Sequence, residues 1–71
     1  MGEVLYYRAL LFYEKQREDE MSFQKNDILE VQKPLKFNLE GTEEEPKGWL
    51  IGKNTRTGET GCFLGNFINP N

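Results

Sequence analysis

The first apolar run, Glu3 to Tyr13 ("EVLYYRALLFY"), mixes aliphatic, aromatic and β-branched residues without a helical stripe or a helix cap. That pattern predicts a strand. The next seven residues, Glu14 to Glu20 ("EKQREDE"), carry no apolar anchor and read as a charged loop. Met21 and Phe23 then alternate with polar neighbours and face one way. Lys25-Asn26-Asp27 reads as a turn, with Asn26 a residue that tolerates positive φ. Ile28 to Gln32 alternates again, with Leu29 and Val31 on one face.

Gln32 to Gly48 is a long connection that holds Pro34, the apolar patch "LKF" and the acidic tract "EGTEEEP". It reads as a loop with one local helical turn around Leu35 to Leu39. "WLIGKN" predicts a strand, and Gly52 inside it predicts close packing against another backbone. "TRTGE" is a hairpin turn, "TGCFL" the returning strand, and "GNFINP" a final turn and a short last strand. Several short strands with no long helix call for a small all-β barrel or sandwich. The expected core is Ala9, Met21, Phe23, Leu29, Val31, Gly52, Phe63 and Ile68, with Tyr6 and Tyr7 structural.

Composition narrows the chemistry. A chain of 71 residues allows one domain, residues 1–71. Its hydrophobic fraction of 37% and aromatic fraction of 13% suffice for one core and argue against disorder. Histidine is absent, which removes the commonest general base and metal ligand. The single cysteine, Cys62, has no partner for a disulfide and no histidine to activate it. No catalytic residue, metal site or cofactor is expected, and the chain reads as a non-enzyme. A small domain without disulfide staples points to a reducing compartment, most simply the cytoplasm.

Nine Lys and Arg stand against twelve Asp and Glu, for a net charge of −3. Scattered, outnumbered cations argue against nucleic-acid binding. An acidic surface favours basic partners instead. No apolar run reaches the ~18 residues that a bilayer span needs, so no membrane insertion is expected. Tyr6 stands where a myristoylation signal wants Ser or Thr, and no signal peptide is visible.

Five segments, in order, resemble a Src homology 3 (SH3) domain. "ALLFY", Ala9 to Tyr13, stands where that family has Ala-Leu-Tyr-Asp-Tyr. The acidic loop runs into "EMSF", and "KNDILEV" is similar to Lys-Gly-Asp-x-Leu-x-Val with Asn26 for glycine. Trp49 follows the long loop, and "GCFLGNFI" resembles Gly-x-Phe/Ile-Pro-Ser-Asn-Tyr-Val. Within the family, the insertion before "GWL" and the run Asn-x-x-Thr-Gly-Glu-x-Gly most resemble the domain of phosphoinositide 3-kinase regulatory subunits.

The resemblance implies a five-stranded, partly open SH3-like barrel with a long loop before Trp49 and a short 3-10 turn near residues 64–67. It also implies a groove for proline-rich peptides. A polyproline II ligand is already extended, so binding it costs little chain entropy. By the same resemblance Tyr13, Trp49 and Asn66 match groove residues. Glu18, Asp19 and Glu20 form the acidic loop, and Glu20 matches the acid that pairs with a ligand arginine. Leu11, Leu64 and Phe67 replace a groove tyrosine, the groove proline and the last groove tyrosine. Two missing hydroxyls remove about 0.5–1.5 kcal/mol each. Together they lower affinity roughly 5- to 150-fold.

The implied function is a monomeric, non-catalytic module that binds Arg- or Lys-bearing PxxP segments in signalling or adaptor assemblies, weakly or atypically. An alternative is a folded partner such as ubiquitin on the same apolar face. Phenylalanine at the last groove tyrosine, here Phe67, is associated with that ability in a subset of the family. A further alternative is a degenerate module that docks on its parent chain. Glu43 to Glu45 read as a second, solvated acid run.

Overall fold

A computed structural model of the chain describes residues 3–33 and 40–71. The strands are β1 (Val4–Ala9), β2 (Ile28–Gln32), β3 (Trp49–Asn54), β4 (Thr60–Leu64) and β5 (Ile68–Pro70). A 3-10 turn, Gly65–Phe67, joins β4 to β5. The strands lie in the order β4-β3-β2-β1-β5, and every neighbouring pair is antiparallel. They curl into a half-barrel, as the family resemblance implies. The helical turn expected around Leu35 to Leu39 lies outside the described residues.

Alternation places the core. Leu29 and Val31 of β2, Leu50 of β3, Phe63 of β4 and Ile68 of β5 are buried. Met21 and Phe23, from the end of the charged loop, fill the barrel beside them. Phe23 meets Phe63 edge-on with ring centroids 6.4 Å apart, a favoured aromatic geometry. Each large apolar side chain removed from water in this way contributes about 1.5–3 kcal/mol.

Gly52 answers its sequence reading. A Cβ there would lie 2.5 Å from the Glu30 carbonyl oxygen, so only glycine lets β3 lie so close to β2. Asn26 takes φ 76° in the turn before β2.

Two features depart from the reading of the pattern. The first strand ends at Ala9 rather than running on to Tyr13. The Leu10 amide turns to the Phe67 carbonyl at 2.9 Å, and Tyr13 re-pairs only with Phe23. Leu10, Leu11 and Phe12 are therefore exposed, Phe12 at 62%. The two adjacent tyrosines also divide. Tyr7 is buried, while Tyr6 lies on the outer face at 45% exposure and donates to Glu30 at 3.3 Å.

Two polar networks tie the loops to this frame. The buried Asp27 carboxylate takes Arg56 Nε on Oδ1 at 2.7 Å. Its Oδ2 accepts from Arg56, the Asn54 amide and the Gln24 backbone N–H. At the other end, the Tyr7 hydroxyl donates to the Glu43 carbonyl at 2.8 Å and pins the acidic loop. Lys33 adds ion pairs to Glu3 and Glu43.

Candidate functional site

Trp49 opens β3 directly opposite Leu64, which closes β4. Both are half-buried. The chain then enters the 3-10 turn, whose first amide, Gly65 N–H, donates to the Gly48 carbonyl at 2.7 Å. The Gly48 N–H returns a bond to Asn66 Oδ1 at 3.2 Å. These two bonds fix the turn to the residue before Trp49. They also leave the Asn66 side-chain N–H₂, on an exposed residue, to donate outward. Pro46 is buried against Gly65, where a Cβ would sit 2.7 Å from the Pro46 carbonyl carbon.

Phe67 ends the turn and leans on the core. Its ring centroid lies 5.7 Å from that of Tyr13, and the Tyr13 centroid also lies 5.7 Å from that of Phe23. Leu11, 39% exposed, stands one residue beyond the amide that bonds Phe67. Strand pairing and the turn bring Trp49, Leu64 and Asn66 together, and the Phe67–Tyr13 ring pair follows from the turn.

The acids divide. Glu18 and Asp19 are exposed at the loop tip and, among the described residues, make no ion pair. Glu20 is only 5% exposed. Its Oε1 accepts from the Tyr13 hydroxyl at 2.7 Å and from the Gln16 amide at 3.0 Å. Arg17 Nε stands 3.9 Å from Oε2. The Gln16 amide, then the Tyr13 hydroxyl, hold the Glu20 carboxyl below the usual carboxylate range, and the same bond pushes the Tyr13 hydroxyl up. The loop is held over the edge of β4 by Cys62 N–H to Asp19 O and Met21 N–H to Cys62 O. Burial raises the Cys62 thiol, so it is a packed side chain and a poor nucleophile.

No protein-family model matches the chain. The chain is 39% identical over 62 residues to the Sorbin and SH3 domain-containing protein 1 homolog of Caenorhabditis elegans, which covers 87% of this chain and 5% of that protein. The SH3 domain of the yeast actin-binding protein Abp1 superposes with a TM-score of 0.62 at 22% identity, over 90% of this chain and 93% of that one. The C-terminal SH3 domain of myosin IB from Entamoeba histolytica, solved with a bound EhFP10(GEF) peptide, reaches 0.68 at 24% identity over 100% and 98%. The chain has the fold of an SH3 domain. It spans a small part of the curated relative, so the remainder of that protein says nothing about this domain.

The pattern of the sequence missed three features of the site. Phe12 stands out into solvent, at a position where the resemblance offers an aspartate. Glu20 faces inward, a fact that depends on how the loop folds back and leaves no trace in the alternation. Pro46 supports the 3-10 turn from a loop with no periodicity. Only the last had a signal, since a proline just before the tryptophan strand is rigid and a glycine at the start of the turn leaves room for its close approach.

Proposed function

We propose that the domain is a non-catalytic, cytoplasmic, monomeric interaction module, one unit over residues 1–71, that binds proline-rich segments carrying Arg or Lys in signalling or adaptor assemblies. The reading is supported by the pairing of Trp49 with Leu64, the bond that holds Asn66 to Gly48 and the Phe67–Tyr13 ring contact. Flat rings suit proline rings, and the Trp49 and Asn66 N–H groups suit the free carbonyls of an extended ligand. The acids Glu18 and Asp19 add attraction for basic flanks. A solved structure of the same fold carries a bound peptide, which is in keeping with a peptide ligand.

The groove is atypical. Leu11 and Phe67 bring no hydroxyl, and Leu64 is less rigid than proline. The face offers contact area with few directional bonds, which lowers affinity for ordinary PxxP peptides. The finer likeness to the phosphoinositide 3-kinase regulatory-subunit domain rests on the segment before Trp49 and the run from Asn54 to Gly61. A titration with a basic PxxP peptide, followed by Trp49 fluorescence, tests the reading. Saturable change that Trp49→Ala abolishes supports it, and a flat trace at millimolar peptide rejects it.

One observation favours a second reading. Leu11 and Phe12 extend the apolar face with 39% and 62% of their surface exposed. Such a patch also suits a folded apolar partner such as ubiquitin. Addition of ubiquitin with no change at Phe67 or Phe12 removes this version.

A further inference from the structure

Glu20 is the acid that the family resemblance assigns to a ligand arginine, yet its position here does not suit that task. It is nearly covered, and three donors surround it. The Tyr13 hydroxyl and Gln16 amide share Oε1 at 2.7 and 3.0 Å, and the loop's own Arg17 stands 3.9 Å from Oε2. Arg17 is exposed along most of its side chain and sits three residues before Glu20, so the loop supplies its own cation beside its own acid. The Tyr13 proton is committed in the same bond. A hydroxyl has one proton to give, and this one goes to Glu20 Oε1.

We propose that the Tyr13–Glu20 hydrogen bond is an internal latch that closes the cation position of the recognition face and leaves charge selection to the exposed Glu18 and Asp19. This rests on the peptide-binding reading above. Tyr13 is then a contact residue through its ring and a positioning residue through its hydroxyl. Exposed acids discriminate poorly, because solvent screens them and the chain keeps its freedom. A buried carboxylate released from its latch discriminates more, because a charged hydrogen bond in a covered site is worth more than one in water.

The test uses the intact domain and two peptides, a proline-rich sequence with one arginine and the same sequence with citrulline, which keeps the shape and removes the charge. The wild type is expected to prefer arginine by less than about fivefold, the range of exposed pairs. Tyr13→Phe keeps both ring contacts and is expected to raise that preference, read as the ratio of the two affinities, at least about fivefold further. Adding Glu20→Gln to Tyr13→Phe should remove the gain. A wild-type preference of tenfold or more that Glu20→Gln alone abolishes overturns the latch, and so does a Tyr13→Phe variant with an unchanged preference.

If neither peptide binds wild type or variant, the peptide-binding reading falls and the latch is judged alone. Carbon-detected NMR titration of the Glu20 carboxyl should then show a midpoint below the usual range in the wild type. In Tyr13→Phe that midpoint should move up, with a shift at the Gln16 amide. No movement overturns the latch.

Discussion

Asp27 and Arg56 meet in a two-point ion pair, Nε to Oδ1 at 2.7 Å and the terminal nitrogen to Oδ2 at 2.9 Å, that ties the turn before β2 to the hairpin after β3. Asp27 is 7% exposed. The Arg56 hydrogen bonds lead in holding its carboxyl at about 2, against an ordinary value near 3.8. A carboxyl lowered on folding stabilises the native state above its unfolded pKa and loses that contribution as pH falls through its folded pKa. The domain should therefore lose stability between pH 4 and pH 2, by on the order of 1–2 kcal/mol from this group, with the half-exposed Arg56 allowed for. Arg56→Ala should flatten that dependence, and urea unfolding at pH 7, 4 and 2.5 measures it.

Phe23 and Phe63 meet edge-on in the middle of the barrel and are each about 1% exposed. Truncating either to alanine is expected to cost ~3–5 kcal/mol. A domain this small has little more than that to lose. Circular dichroism melts should show Phe63→Ala largely unfolded near room temperature, while Ile51→Ala, on the exposed outer face, melts close to the wild type.

Tyr7 reaches out of the core to the Glu43 carbonyl. Tyr7→Phe keeps the ring and removes one hydrogen bond, for a loss of about 0.5–1.5 kcal/mol. Hydrogen exchange should rise around Thr42 to Glu45 and stay unchanged in β4. Equal change in both places contradicts a local role.

Gly65 lies so close to Pro46 that an added Cβ would displace the loop or the turn. Gly65→Ala should shift the amide signals of Asn66 and Phe67 and weaken peptide binding several-fold, since Asn66 is held by the adjoining Gly48 N–H. Unchanged affinity with shifted amides contradicts the view that the 3-10 turn sets the face.

The strands were legible in the sequence because period two is a physical consequence of the pleat. Leu29 and Val31 were read as buried from alternation, Phe63 and Ile68 were named in the expected core, and all four are buried. The turn at Asn26 and the tight crossing at Gly52 were legible because few residues tolerate those positions. The loops were less so. The end of β1 at Ala9 depends on an amide bond to Phe67, far along the chain, and nothing in "ALLFY" records it. The 3-10 turn that carries Asn66 and Phe67 was legible through family resemblance. The inward turn of Glu20 was not, because a charged run looks the same whether its last acid faces solvent or the barrel.

The central claim is that the face from Trp49 to Tyr13 receives an extended proline-rich chain. The most direct measurement is a nitrogen-15 NMR titration of the labelled domain with an arginine-bearing proline-rich peptide. The account predicts saturable shifts at the Trp49 indole N–H, the Asn66 side-chain N–H₂ and the Phe67 and Tyr13 amides, with Lys53 and Thr60 on the far side of β3 and β4 unmoved. Shifts confined to that far side, or none at millimolar peptide, contradict it.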